Sequence, residues 1–176
     1  CFHVCGTATI QDITLDEAAH RAQAWPPLLC HAPSVAGRLD VPPFPAFDLL
    51  ELFAFTRPAR FCLPTARGLA LALALDLPQD QAGEALTLAV AARALMAELA
   101  DSEDDRAADL LAVAVPMAEA GWAWGPYVRT ALERAALGEI GSEAAGFHVW
   151  RDLPTWAEQA PEPPPGNIPV EPAAAR

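Results

Sequence analysis

The sequence predicts an α/β fold with short strands near the N-terminus and a mostly helical C-terminal half. A strand–helix–strand beginning up to His31 supports this, as do successive helical patterns from Pro64 onward. At 176 residues and 53% apolar, the chain can fill one core of ordinary domain size and still carry a tail.

Phe2–Cys5 and Ala8–Ile13 are short, alternating or β-branched, and separated by Gly6-Thr7, the pattern of a hairpin or of two strands. Thr14-Leu15-Asp16-Glu17 is a capping-box sequence, in which hydroxyl and carboxylate satisfy orphan amides, so a helix is expected to about Ala24. Pro26-Pro27 ends it, and Leu28–His31 is a short apolar run suited to a buried parallel strand. After a proline-rich loop from Val41 to Pro45, Phe47–Phe55 has helical spacing, and Pro64-Thr65 opens a helix expected to reach Leu77. Asp80 caps a further helix through Ala100, although Gly83 weakens it. Asp101–Ala120 forms the next, its leading acids favoured by the helix dipole and its course bent or ended near Pro116. Pro126 starts the last, which ends near Gly138. From Ala160, APEPPPGNIPVEP excludes continuous helix or central strand and is expected to be an extended linker. The organisation expected is an α/β core over 1–100, a helical extension packed on it over 101–159, and the linker over 160–176.

Eleven Lys and Arg against 23 Asp and Glu give a formal charge of −12, which opposes general nucleic-acid affinity, since that rests on cations neutralising phosphates. A local basic groove from Arg57, Arg60 and Arg67 is the candidate exception, although closely spaced arginines are more often solvated loop charges. No apolar run is long enough for a membrane span, because GLALALALDLPQ is cut by Asp76 and Pro78. Cys1, Cys5, Cys30 and Cys62 lack a disulfide-framework spacing and point to reduced thiols in a cytoplasmic protein. Cys1, His3 and Cys5 would share one face of a strand and have zinc-binding chemistry, but a straight strand splays such ligands, and a buried face is the better reading. Neither phosphate-cradling glycine loop is present.

Other candidates have a structural explanation. His31 at a strand end can act as a base, yet a lone His among apolar residues is usually a hydrogen-bonded structural group. Asp101, Glu103, Asp104 and Asp105 form a solvated helix start before they form a cation site. Trp122, Trp124 and Tyr127 can stack bases, but with Arg129 as the one nearby cation, packing is favoured.

The stretch Pro26–Leu73 resembles the middle of a DnaQ-like 3′–5′ exonuclease, which implies a ribonuclease H-like core. His31-Ala32-Pro33-Ser34-Val35-Ala36 occupies the family's His-Asn-Ala-x-Phe-Asp motif, so Ala36 stands at the metal-binding Asp position. Asp48 matches a later acid outside the metal set, where a helix cap or a turn residue is expected, and Thr65–Leu73 matches the helix after it. The first-strand Asp-x-Glu has no counterpart, and the late His-x-x-x-x-Asp falls on Gln79–Glu84. Glu84 alone is left as a weak catalytic candidate, and one carboxylate cannot assemble a two-metal site.

With GWAWGPYVRTALE and the tail GFHVWRDLPTWAEQAPEPPPGNIPVEPAAAR, nearly the whole chain resembles the N-terminal region of bacterial, especially alphaproteobacterial, DinG-type ATP-dependent DNA helicases. The resemblance implies a motor domain in the same polypeptide that uses ATP and Mg²⁺ on DNA, with none of that chemistry on residues of this chain. The chain opens at Cys1 without an initiator Met and is expected to be a fragment of the longer protein. The expectation is a non-catalytic accessory region with no metal or cofactor site of its own and no membrane contact. The alternatives are an active metal-dependent exonuclease and a free-standing acidic interaction module.

Overall fold

The computed structural model describes residues 2–4 and 10–135 of the chain, a mixed α/β structure that is mostly helical. Cys1, Cys5, the expected end of the last helix near Gly138 and the expected linker over 160–176 lie outside the described residues. Strands β1 (Phe2–Val4) and β2 (Ile10–Asp12) pair antiparallel, Phe2 opposite Asp12, as the hairpin pattern predicts. Helix α1 (Leu15–Ala24) starts where the Thr14 hydroxyl accepts the Glu17 amide at 3.2 Å. The Glu17 carboxylate pairs forward with Arg21.

Next in the chain is a β–α–β unit. Strand β3 (Leu28–Leu29), helix α2 (Ala32–Leu39) and strand β4 (Phe47–Asp48) bring Leu28 opposite Phe47 and Leu29 opposite Asp48 in parallel register. The expected helix over Phe47–Phe55 therefore begins two residues later, as α3 (Leu49–Thr56), because its first two residues pair with β3.

Helix α4 (Ala66–Ala72) begins at the Thr65 cap and stops short of the expected Leu77. Ala74 takes a left-handed φ of 54°, and the amides of Leu75 and Ala74 turn back to the carbonyls of Ala70 and Leu71. This is a Schellman ending, made here with alanine where glycine is the unstrained choice. Helix α5 (Gln81–Ala100) has the expected cap, Asp80 accepting the Gly83 amide at 2.7 Å. Helix α6 (Asp104–Glu119) passes Pro116 by less than one turn, and Gly121, at φ 91°, closes it. Helix α7 (Gly125–Ala135) carries Pro126 in its first turn.

Helix α5 is the centre of the molecule. It touches α3, α4 and α7 as well as β1 and β3, while α6 and α7 form a hairpin. Leu49, Leu69, Leu95, Leu99, Leu110 and Leu132 lose essentially all solvent exposure within one continuous core. Two close approaches set the packing. A Cβ on Gly125 would overlap Ala118 of α6, and a Cβ on Gly68 would overlap Leu63 in the preceding loop. Among the described residues no helix is long and apolar enough to cross a membrane.

The core assignment predicts that Leu95→Ala lowers unfolding free energy by about 2–5 kcal/mol in urea titrations. Val90→Ala, on the exposed side of the same helix, is expected to stay within about 0.5 kcal/mol of the parent.

Candidate functional site

Polar contacts from several elements converge where β4 runs into α3. Parallel pairing carries the chain from Pro27 through Cys30 alongside Phe47–Leu50, with the Phe47 amide on the Pro27 carbonyl at 2.8 Å and the Leu50 amide on the Cys30 carbonyl at 3.2 Å. This register places Asp48, almost fully buried, beside the start of α2. Asp48 Oδ2 accepts the Ala32 amide at 2.7 Å, and Oδ1 accepts the amides of Leu50 at 2.9 Å and Glu51 at 3.4 Å. One carboxylate thus caps two helices, each with orphan amide donors to satisfy. The Asp48 carbonyl accepts the buried Trp124 indole at 2.7 Å, which ties α7 to the same point. Phe47 meets the rings of Trp124 and Tyr127 edge-on, with centroids 5.1 and 5.6 Å apart.

An open cleft of about 410 Å³ adjoins this junction, lined in part by Ala32, Asp48, Glu51, Met117, Gly121 and Trp122. The Trp122 indole donates to Glu51 Oε2 at 3.0 Å, and its ring packs on Phe55. Partial burial pushes the Glu51 carboxyl above its ordinary value, and the Asp48 carboxylate pushes in the same direction. The Trp122 hydrogen bond and His31 pull it back down. The cleft therefore holds one carboxylate already committed to amides, Asp48, and one that protonates more readily than usual, Glu51.

The expected site residues fall in separate places. Ala36 is buried in α2, where no ligand atom is available. Glu84 is exposed in the first turn of α5 and enters no group of metal ligands. Among the described residues no three His, Cys, Asp or Glu converge as metal ligands. The two-metal chemistry of an exonuclease thus has no matching donor set among them. The His31 ring nitrogen Nδ1 meets Ser34 Oγ at 2.7 Å across the first turn of α2. As a base–nucleophile pair it lacks a carboxylate hydrogen-bonded to the other ring nitrogen among the described residues. Burial, with Cys62 and Asp48 nearby, pushes the Cys30 thiol up to about 12, so it stays protonated and unreactive.

Arg57 faces inward, on the Glu98 carboxylate at 2.8 Å and the Ala72 carbonyl at 2.8 Å, whereas Arg60 and Arg67 are exposed. Trp124 packs as expected and Trp122 is half-buried, whereas Tyr127 stays 57% exposed although its ring edge meets Phe47. Sequence reasoning missed Glu51 as a cleft residue, since its partner Trp122 lies 71 positions away and no local pattern marks the pair. A second cavity of about 730 Å³ lies between α1, the β3–α2 unit and α5. It is mainly apolar, and the one charged residue lining it among the described residues, Arg21, is paired with Glu17. No protein-family description, curated protein or solved structure matches the chain.

Asp48→Ala leaves three amides without their acceptor and is expected to cost about 2–4 kcal/mol of stability in urea unfolding, from lost caps and unsatisfied donors together. For Glu51 the folded-state value is raised, so folding favours the protonated form. Its contribution is fully present below the ordinary value of 4.5 and is lost as pH rises through the raised folded value. Glu51→Gln is expected to remove that decline, seen as melting temperatures that diverge from the parent's upward from acid pH.

Proposed function

We propose that the chain is a non-catalytic accessory region of a DinG-type ATP-dependent DNA helicase, built on a degenerate ribonuclease H-like, DnaQ exonuclease-like core. The observation that carries the non-catalytic part is the fate of the carboxylate positions. By the resemblance Ala36 stands at a metal-binding Asp position, and Glu84, the one matching acid left, is exposed and belongs to no group of three metal ligands among the described residues. Asp48, an acid outside the family's metal set, gives both oxygens to backbone amides and is not free to stand in for the missing ligand.

The β3–α2–β4 unit supports the exonuclease-like core, since the resemblance sets its His-Asn-Ala-x-Phe-Asp motif on the strand-to-helix turn that the chain makes at His31. Cytoplasmic DNA is then the substrate of the parent, and ATP and Mg²⁺ belong to a motor in the same polypeptide. The contribution of this region is to guide the DNA or to contact the motor.

Incubated with a 3′-labelled single-stranded oligonucleotide and Mg²⁺ or Mn²⁺, the chain is expected to release no nucleotide. Release that disappears in Glu84→Ala would overturn the non-catalytic reading. The helicase part is checked by sequencing the coding DNA beyond Arg176, where G-x-x-x-x-G-K-[ST] is expected within roughly a hundred residues; a stop codon there would overturn it.

A further inference from the structure

The segment from Arg57 to Leu75 contains three arginines and no carboxylate, in a chain of formal charge −12. Arg57 is neutralised by Glu98. Arg60 and Arg67 are exposed and make no ion pair among the described residues. Next to Arg60 stands Phe61, 84% exposed, the most exposed large hydrophobic side chain described. Leu63 and Leu71 extend the apolar surface, at 50% and 60% exposure. Arg67 and Leu71 are four residues apart on α4 and lie on one face of it.

The loop that presents Phe61 is held in place. Cys62 packs against the core, with Phe61 and Leu63 to either side of it exposed. The Leu63 carbonyl accepts the Thr65 amide at 2.7 Å, and its backbone and Cβ fill the space where a Gly68 side chain would stand. The aromatic ring is therefore presented to solvent from an anchored backbone.

We propose that Arg60, Phe61 and Arg67 form a surface for single-stranded nucleic acid, with Phe61 stacking on a base and the two guanidiniums holding neighbouring phosphates. The chemistry selects this partner over an acidic peptide. Carboxylates by themselves would use both arginines and leave the ring uncovered, whereas every nucleotide brings a phosphate and a flat face together. The surface shares no residue with the Asp48 cleft, so its failure would leave the reading of the carboxylate positions intact.

The test is fluorescence anisotropy of a short fluorescein-labelled oligothymidylate against the whole chain over a salt series. Binding is expected at low salt. Phe61→Ala is expected to weaken it about tenfold with the salt slope unchanged. Arg60→Ala with Arg67→Ala is expected to reduce the slope of log affinity on log salt by about 1.4, at ~0.7 per phosphate contact on a single strand. Arg129→Ala, which removes an exposed arginine paired with Glu133 on α7, is expected to change nothing. All these side chains are exposed, so unchanged melting curves separate lost binding from lost folding. No binding at low salt, or binding undiminished in the Phe61 and double-arginine variants, would overturn the proposal. Tighter binding of polyglutamate than of oligothymidylate at equal charge and salt would overturn it in favour of an acidic protein segment.

Discussion

Asp48 is the constraint on which the arrangement depends. Its carboxylate accepts amides from α2 and α3, and its carbonyl accepts the Trp124 indole from the start of α7. Three segments far apart in the sequence thus converge on one residue. Two-residue strands contribute few ladder bonds, so β3 and β4 cannot define the geometry of this unit by themselves. The buried acid supplies the missing definition, since each of its contacts is charge-assisted or fully shielded from water. The same commitment removes it from chemistry, which is why a junction rich in polar contacts supports a structural reading.

Around that junction the helices are placed by apolar contact. Helix α5 is in contact with α3, α4 and α7, and the buried leucines of all these helices form one core. Small residues in the surrounding elements matter as much as the large ones. Gly125 lets α7 approach Ala118 at backbone distance, and Gly68 lets the loop close over α4. Arg57 and Arg106 secure the edges by donating to the Ala72 and Thr56 carbonyls, near the ends of α4 and α3.

Local features were the legible ones in the sequence. Thr14, Thr65 and Asp80 cap the helices expected of them, because a side chain three residues from its amide leaves a readable pattern. Helix α2 had no such mark. His31 makes no side-chain cap hydrogen bond, and the carboxylate that serves the helix start comes from Asp48, 16 residues on. Phe47-Asp48 shares its helical spacing with residues 49–55, and only the partner strand reveals the pair as extended. The early end of α4 depends on Ala74 taking a conformation for which alanine gives no signal. In the cleft, Asp48 was recognisable as a cap, while Glu51 needed Trp122 brought to it by the fold.

The left-handed alanines bear on how the molecule opens. Ala59 and Ala74, at φ 57° and 54°, bracket the loop and α4 at either end. A non-glycine residue in that region carries strain of about 1–3 kcal/mol, held in check by the surrounding structure. When those surroundings loosen, both turns gain by relaxing, so the stretch between them is the natural unit of partial unfolding. Its amides should then exchange with solvent together, ahead of those of α5, and Gly68 marks where the unit must reseat when it closes.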